Sequence, residues 1–226
     1  MQFITRQQMG WPATASRLQP EPPRGTKVHY EGDEVPDMAH SRCVGHWTDI
    51  RNMHLANKEE GYSDVAYNLA VCQHGYILEG RGAGHQTGAN GNQSLNRAHY
   101  AVVVLIGGDT EPSAAAVEAL KEAILYLRQR GAGNEIKGHR DGYATSCPGG
   151  PLYDLVRSGS LEPSQEDDMP SPQDLWSYTM VLPDGRKQSA RDIITYSDER
   201  HNIIARELDQ VKAQLAEVLR ILAQKA

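Results

Sequence analysis

The chain has 226 residues, 39% of them hydrophobic, with a formal net charge of −6, enough apolar material for one good-sized domain plus a small appendage. The acidic balance argues against a protein that holds nucleic-acid backbones, and equally against simple electrostatic attachment to an anionic wall or membrane. The longest apolar run, Ala101 to Ile106, falls far short of the ~20 residues a membrane-spanning helix needs.

The opening residues Met1-Gln2-Phe3-Ile4-Thr5-Arg6 lack the apolar core of a secretory signal peptide. They predict a protein made in a cytoplasm and dependent on another agent for release. Gly25 to Tyr30 then reads as a short strand. His40 to Asn57 carries Cys43, Trp47, Ile50 and Met53 at helical spacing. Ala66 to Cys72 and Tyr76 to Glu79 read as two strands around the Gln73-His74-Gly75 turn. Tyr100 to Ile106 is a continuous apolar run of the kind found in strands buried on both faces. Ser113 to Arg130 places Val117, Leu120, Ile124 and Leu127 on one helical face, and Gly131 follows as a stop. Ile136 to His139 forms a last short strand and Pro151 to Arg157 a closing helix. The alternation predicts an α/β domain over residues 1–158, with a mixed central β-sheet flanked by helices.

Residues 159–174 are polar, acidic and hold three prolines, the composition of a linker. Residues 175–226 read as a separate C-terminal module. Trp176 to Leu182 and Arg186 to Gln188 form a small hairpin around Pro183-Asp184-Gly185. Ser189 caps a long helix, with Asp192 in its first turn. Along that helix Ile204, Leu208, Val211, Leu215, Val218 and Leu222 fall at 4-3-4-3-4 spacing, a heptad seam. The seam either packs back on the chain's own catalytic domain or joins copies as a coiled coil. The second reading is preferred, and its core residues lean toward trimers or tetramers.

The chemistry concentrates in Gly138-His139-Arg140-Asp141-Gly142-Tyr143-Ala144-Thr145-Ser146-Cys147-Pro148-Gly149, where a histidine and a cysteine stand eight positions apart ahead of a Pro-Gly turn. Val28-His29-Tyr30 ends the first strand with another imidazole. Two neutral nitrogens and one thiolate from His29, His139 and Cys147 would hold Zn2+ with net charge near +1 and leave one coordination position open, as a hydrolytic zinc site requires. Cys43 and Cys72 either pair as a disulfide or are small buried hydrophobes; in a reducing cytoplasm the second reading is favoured.

These segments resemble the type 2 N-acetylmuramoyl-L-alanine amidases, which share their fold with peptidoglycan recognition proteins. Gly-His-Arg-Asp followed by Thr-x-Cys-Pro-Gly is similar to the family's carboxy-terminal motif. Tyr62-Ser63-Asp64-Val65-Ala66-Tyr67-Asn68 is similar to its Trp-x-Asp-Ile-x-Tyr-Asn segment, and Gly75-Tyr76-Ile77-Leu78-Glu79-Gly80-Arg81-Gly82 to its Gly-x-Val-x-Glu-Gly-Arg-Gly strand. Met9-Gly10-Trp11 departs from the order of the family's amino-terminal Trp-Gly element. The resemblance spans roughly residues 5–157. It implies that His29, His139 and Cys147 are zinc ligands. It also implies that Tyr67 hydrogen-bonds the attacking water or the oxyanion and that Thr145 faces the scissile carbonyl. The implied substrate is bacterial peptidoglycan, cut at the lactyl–L-alanine amide. Together with the tail, the resemblance implies a phage endolysin acting in host lysis. The alternative is a recognition module that binds peptidoglycan without cutting it, against which the presence of Cys147 argues.

Other residues carry weaker readings. Tyr67 also suits a buried anchor of the sheet. Glu31, two past His29, is a candidate general base, although a solvated strand-end carboxylate is the plainer reading. His54 and His85 are candidates for the cleft wall rather than ligands. Asp141 and Arg81 read as supports that orient a ligand loop. Asn90, Asn92 and Asn96, in a Gly-rich loop, either contact sugar or peptide or are turn formers, and the second reading is preferred.

Overall fold

The computed structural model describes residues 1–163, 179–181 and 185–225. It divides into two compact units, Met1–Pro163 and Ser164–Ala226.

The first unit is built on a six-stranded sheet. In chain order it contains β1 (Gln2–Ile4), β2 (Gly25–His29), a short 3-10 turn (His40–Arg42) running into α1 (Cys43–Ala56), β3 (Leu69–Val71), β4 (Tyr76–Glu79), α2 (Gln93–Ala98), β5 (His99–Val104), α3 (Ala114–Arg128), β6 (Glu135–Gly138) and α4 (Gly150–Ser158). The strand order is β1-β4-β3-β5-β2-β6. Strands β3, β5, β2 and β6 run parallel, β4 is antiparallel to β3, and β1 is parallel to β4. This is the α/β architecture, a mixed sheet flanked by helices, that the alternation of patterns implies.

Side chains alternate between the two faces of the sheet. Val28, Leu69, Val71, Ile77, Tyr100, Val102 and Val104 pack with α3 and α4. Ala70, Cys72, Leu78, Val103 and Leu105 pack with Trp11 and with Cys43, Trp47 and Ile50 of α1. Burial on both sides explains why β5 reads as an unbroken apolar run. It also accounts for Lys27, which has 0% exposure in the middle of β2.

Expected and observed boundaries differ where loops intervene. The strand expected over 66–72 is confined to Leu69–Val71. The carbonyls of Tyr67 and Asn68 are instead engaged by the amides of Gly80, Arg81 and Gly82. Strand β1 and helix α2 fall in segments without a readable period. Helix α3 begins as expected at Ser113, whose hydroxyl accepts from the Ala116 amide. Leu161, beyond α4, is 1% exposed and belongs to the core of this unit.

In the second unit β7 (Thr179–Val181) pairs antiparallel with β8 (Lys187–Ser189), and α5 (Ala190–Lys225) follows. Ser189 and Asp192 cap the helix reciprocally. Ile204, Leu208, Val211 and Leu215 of the heptad seam are each more than half exposed. The side chains of Val218 and Leu222, most of the expected linker, Trp176 and the hairpin tip lie outside the described residues. No described helix is long and apolar enough to cross a membrane.

Candidate metal centre and cleft

His29 closes β2, and His139 follows the adjacent parallel strand β6. Parallel pairing thus delivers both imidazoles to the same sheet edge. The His139 amide donates to the carbonyl of Val28, extending the ladder by one residue. Cys147 returns on the loop between β6 and α4. Its Sγ lies 3.6 Å from His29 Nδ1, and the donor atoms of His29, His139 and Cys147 are all within 4.8 Å of one another. Ligands held 2.0–2.3 Å from one tetrahedral centre stand about 3.3–3.8 Å apart, so a small contraction would complete the set.

The surrounding hydrogen bonds suit metal binding. Asn90 Nδ2 donates to the carbonyls of Leu95 and His99, which turns its Oδ1 toward His29 Nε2 at 2.9 Å. That contact places the His29 proton on Nε2 and leaves the Nδ1 lone pair facing the thiol. His139 Nε2 is buried without a hydrogen-bond partner, an orphan a metal would satisfy. Burial, with His139 alongside, pushes His29 down to about 3. Burial, with Lys27 alongside, pushes His139 down to about 4, against the raising effect of the Asn90 backbone. Both rings are therefore neutral donors at pH 7. Burial also raises the Cys147 thiol to about 11, so an incoming cation must displace its proton. The donors present fit Zn2+.

The loop carrying these ligands is braced from below. Lys27 Nζ donates to the carbonyls of Asp141 at 2.7 Å and His139 at 3.2 Å. The Asp141 carboxylate accepts from the Gly138 amide and the Tyr153 hydroxyl, each at 2.7 Å. Arg140 donates to the carbonyls of Ser146 and Cys147. Gly149 has φ +83, and a Cβ there would sit 3.1 Å from the Tyr30 ring, so the turn behind the cysteine requires glycine.

Tyr67 meets His29 edge-on with ring centroids 5.3 Å apart and also touches Trp47 and His54. Burial first, then nearby Cys147, raises its phenol and keeps it protonated as a donor. Thr145 Oγ1 accepts from the Cys147 amide at 3.2 Å, which leaves the hydroxyl proton free to donate. Glu31 is not a solvated carboxylate: its side chain is 16% exposed, and His46 Nε2 of α1 contacts both oxygens at 2.8 and 2.9 Å. Helix α1 turns its polar edge toward this strand end, which the strand pattern alone does not reveal. Burial raises the Glu31 carboxyl, while His46 opposes the shift.

A cleft of about 790 Å³ opens at His139, lined by Tyr62, Arg81, Gln86, Gln93 and Tyr143 among others. Tyr143 stacks on His139 with centroids 5.2 Å apart and planes 8° from parallel. It also covers Gly91, where a Cβ would strike its ring at 2.3 Å. Arg81 holds the Tyr62–Asn68 segment through the Val65 carbonyl and the cleft loop through that of Gln86. His54 Nδ1 accepts from the Ala66 amide, and His85 contacts the Ser16 carbonyl. Neither belongs to the donor cluster. Asn92 caps α2 and Asn96 accepts from the Asn90 amide, so both hold the loop together, and both also line the cleft. Asn90 is more than a turn former. Both it and Lys27 escape sequence reading, because neither residue type nor spacing marks a support for a ligand.

Residues 19–150 match the N-acetylmuramoyl-L-alanine amidase family. The chain belongs to that family. It is 30% identical over 122 residues to a pig N-acetylmuramoyl-L-alanine amidase, covering 51% of this chain and 20% of the relative. Over 118 residues it is 33% identical to rat peptidoglycan recognition protein 1, covering 48% and 61%. The fold matches Drosophila PGRP-LB with TM-score 0.63 at 21% identity, covering 74% of this chain and 99% of that one. It also matches human PGRP-IBETAC, solved with glycosamyl muramyl pentapeptide, with TM-score 0.60 at 23% identity, covering 69% and 94%. The chain thus spans a fifth to about three fifths of the lengths of these two sequence relatives.

Proposed function

We propose that the chain is a zinc-dependent amidase that hydrolyses the bond between the lactyl group of N-acetylmuramic acid and L-alanine in bacterial peptidoglycan. The observation that carries this reading is the His29–His139–Cys147 cluster, a three-donor set at the end of a polar cleft. A zinc ion held there supplies a Lewis acid that polarises the scissile carbonyl and makes water nucleophilic at neutral pH. The protein's own groups do the rest. Asn90 fixes the His29 tautomer, and Lys27 and Asp141 hold the loop bearing His139 and Cys147. Tyr67 and Thr145 donate hydrogen bonds to the carbonyl oxygen as charge develops on it. Family membership and the relatives' printed activities support the same substrate.

We propose in addition that the chain acts in host lysis as a phage endolysin, a reading that rests on the layout of a catalytic unit followed by a separate second unit. Exposed Ile204, Leu208, Val211 and Leu215 suit association between copies, and several catalytic units on one stalk would raise the effective concentration at a repetitive wall. The test is digestion of purified peptidoglycan by the zinc-loaded protein, by chelated protein and by Cys147→Ser. The expected result is new N-terminal L-alanine only with zinc and Cys147 both present. A wall that retains the protein without any bond being cut would replace hydrolysis with recognition.

A further inference from the structure

A second cluster of donors lies in the first unit, formed by His40, Cys43, Cys72 and His74. Its four donor atoms are all within 4.8 Å of one another, and Cys43 Sγ is 3.5 Å from His74 Nδ1. That separation again falls inside the about 3.3–3.8 Å spacing of tetrahedral zinc ligands. Cys43 and Cys72 are each 1% exposed and free of any disulfide. His40 stacks on Tyr76 at 3.8 Å and meets His74 edge-on at 5.5 Å. The buried Nδ1 of His40 has no hydrogen-bond partner. Four soft or borderline donors converging beside an unsatisfied imidazole nitrogen are poorly explained as hydrophobic filler.

We infer that these four side chains form a structural Zn2+ site, separate from the hydrolytic one. Binding would displace the two thiol protons to solvent and form two Zn–S and two Zn–N bonds. Two thiolates neutralise the cation, and four protein donors leave no position for water or substrate. Two short pairs build the site: His40 and Cys43 from the turn that enters α1, and Cys72 and His74 from the turn between β3 and β4. The metal would therefore pin the start of α1 to the sheet. That helix carries Trp47, which packs on Tyr67, and His46, which holds Glu31. A cavity of about 530 Å³ lined by Cys43, Cys72 and His74 offers an entry route.

The test is zinc content per chain, by elemental mass spectrometry, in full-length protein purified under reducing conditions. Wild type should carry two zinc ions, Cys147→Ser one and Cys72→Ser one. Because Cys72 is buried and a serine there puts the fold at risk, His74→Asn serves as the second variant. It should lose the second zinc to a competing chelator at least about tenfold more readily, since even a hydrogen-bond partner of a ligand costs that much. One zinc that is lost in Cys147→Ser but kept in both Cys72→Ser and His74→Asn would overturn the inference and leave the hydrolytic site standing. The reverse pattern would uphold the second site and remove the first. An intact mass lighter by two hydrogens, with Cys43 joined to Cys72, would also overturn it.

Discussion

The two donor clusters share a sheet edge but not a construction. His29 and the Cys72 turn follow the carboxyl ends of β2 and β3, two parallel strands separated only by β5, a lateral offset of about 10 Å. His29, His139 and Cys147 come from strand ends and a braced loop, number three, and adjoin the polar cleft. His40, Cys43, Cys72 and His74 come from a helix start and a tight turn and number four. Donor count and access, more than residue type, separate a site able to do chemistry from one able only to hold the chain. The comparison makes the two clusters separable by mutation.

Cys147→Ser should have the largest effect on hydrolysis, abolishing release of N-terminal L-alanine, while the unfolding midpoint of the zinc-loaded protein falls only by what the loss of one bound ion removes. Cys72→Ser should invert the pattern, with a lower midpoint and hydrolysis retained per folded molecule. Equal loss of activity and stability in both would break the distinction. Tyr67→Phe sharpens it further. Removing a donor aimed at the developing charge should lower kcat by about 100-fold, with both zinc ions retained. Loss of zinc in step with activity would show that Tyr67 supports the ligands instead. Asn90→Ala should weaken zinc binding at the first cluster by about 10–100-fold, measured by competition with a chromophoric chelator, without changing the affinity of the second.

How much of this was legible in the sequence differs between the clusters for physical reasons. The string from Gly138 to Gly149 concentrates a histidine, a cysteine and a Pro-Gly turn within twelve residues, and His29 ends a recognisable strand. The other set is split into His-x-x-Cys and Cys-x-His fragments, each common by chance. Cys43 also fits the helical period of α1, so its role was absorbed into the core pattern. Lys27 lies in Gly-Thr-Lys-Val-His, where alternation suggests a solvent-facing lysine. Only the pairing of β2 between β5 and β6 buries it. Strand β1 has three residues and gains its identity by pairing with β4. Helix α2 has six, begun by the Asn92 cap in a segment whose asparagines also suit turns. Long elements with a sustained period, such as α3 and β5, were readable because burial imposes the pattern on the sequence itself.

The smallest predicted effect uses a histidine outside both clusters as a reference. His54 packs against Tyr62 and Tyr67, and burial, then Arg81, pushes it down from 6.5 to about 4. Between those values the unfolded chain takes up a proton that the folded chain refuses, so unfolding gains as pH falls. The contribution of neutral His54 is fully present above about pH 6.5 and is lost as pH falls through about 4. His54→Gln should therefore flatten the pH dependence of the urea midpoint in that window, by a small amount because the ring is partly exposed. In chelated protein the His54 contribution should persist, because its ring binds the Ala66 amide and no metal. Acid sensitivity that arises from the two clusters should instead change when zinc is removed. If the difference between wild type and His54→Gln disappears with chelation, the slope belongs to the metal sites, and His54 ceases to be an independent reference for them.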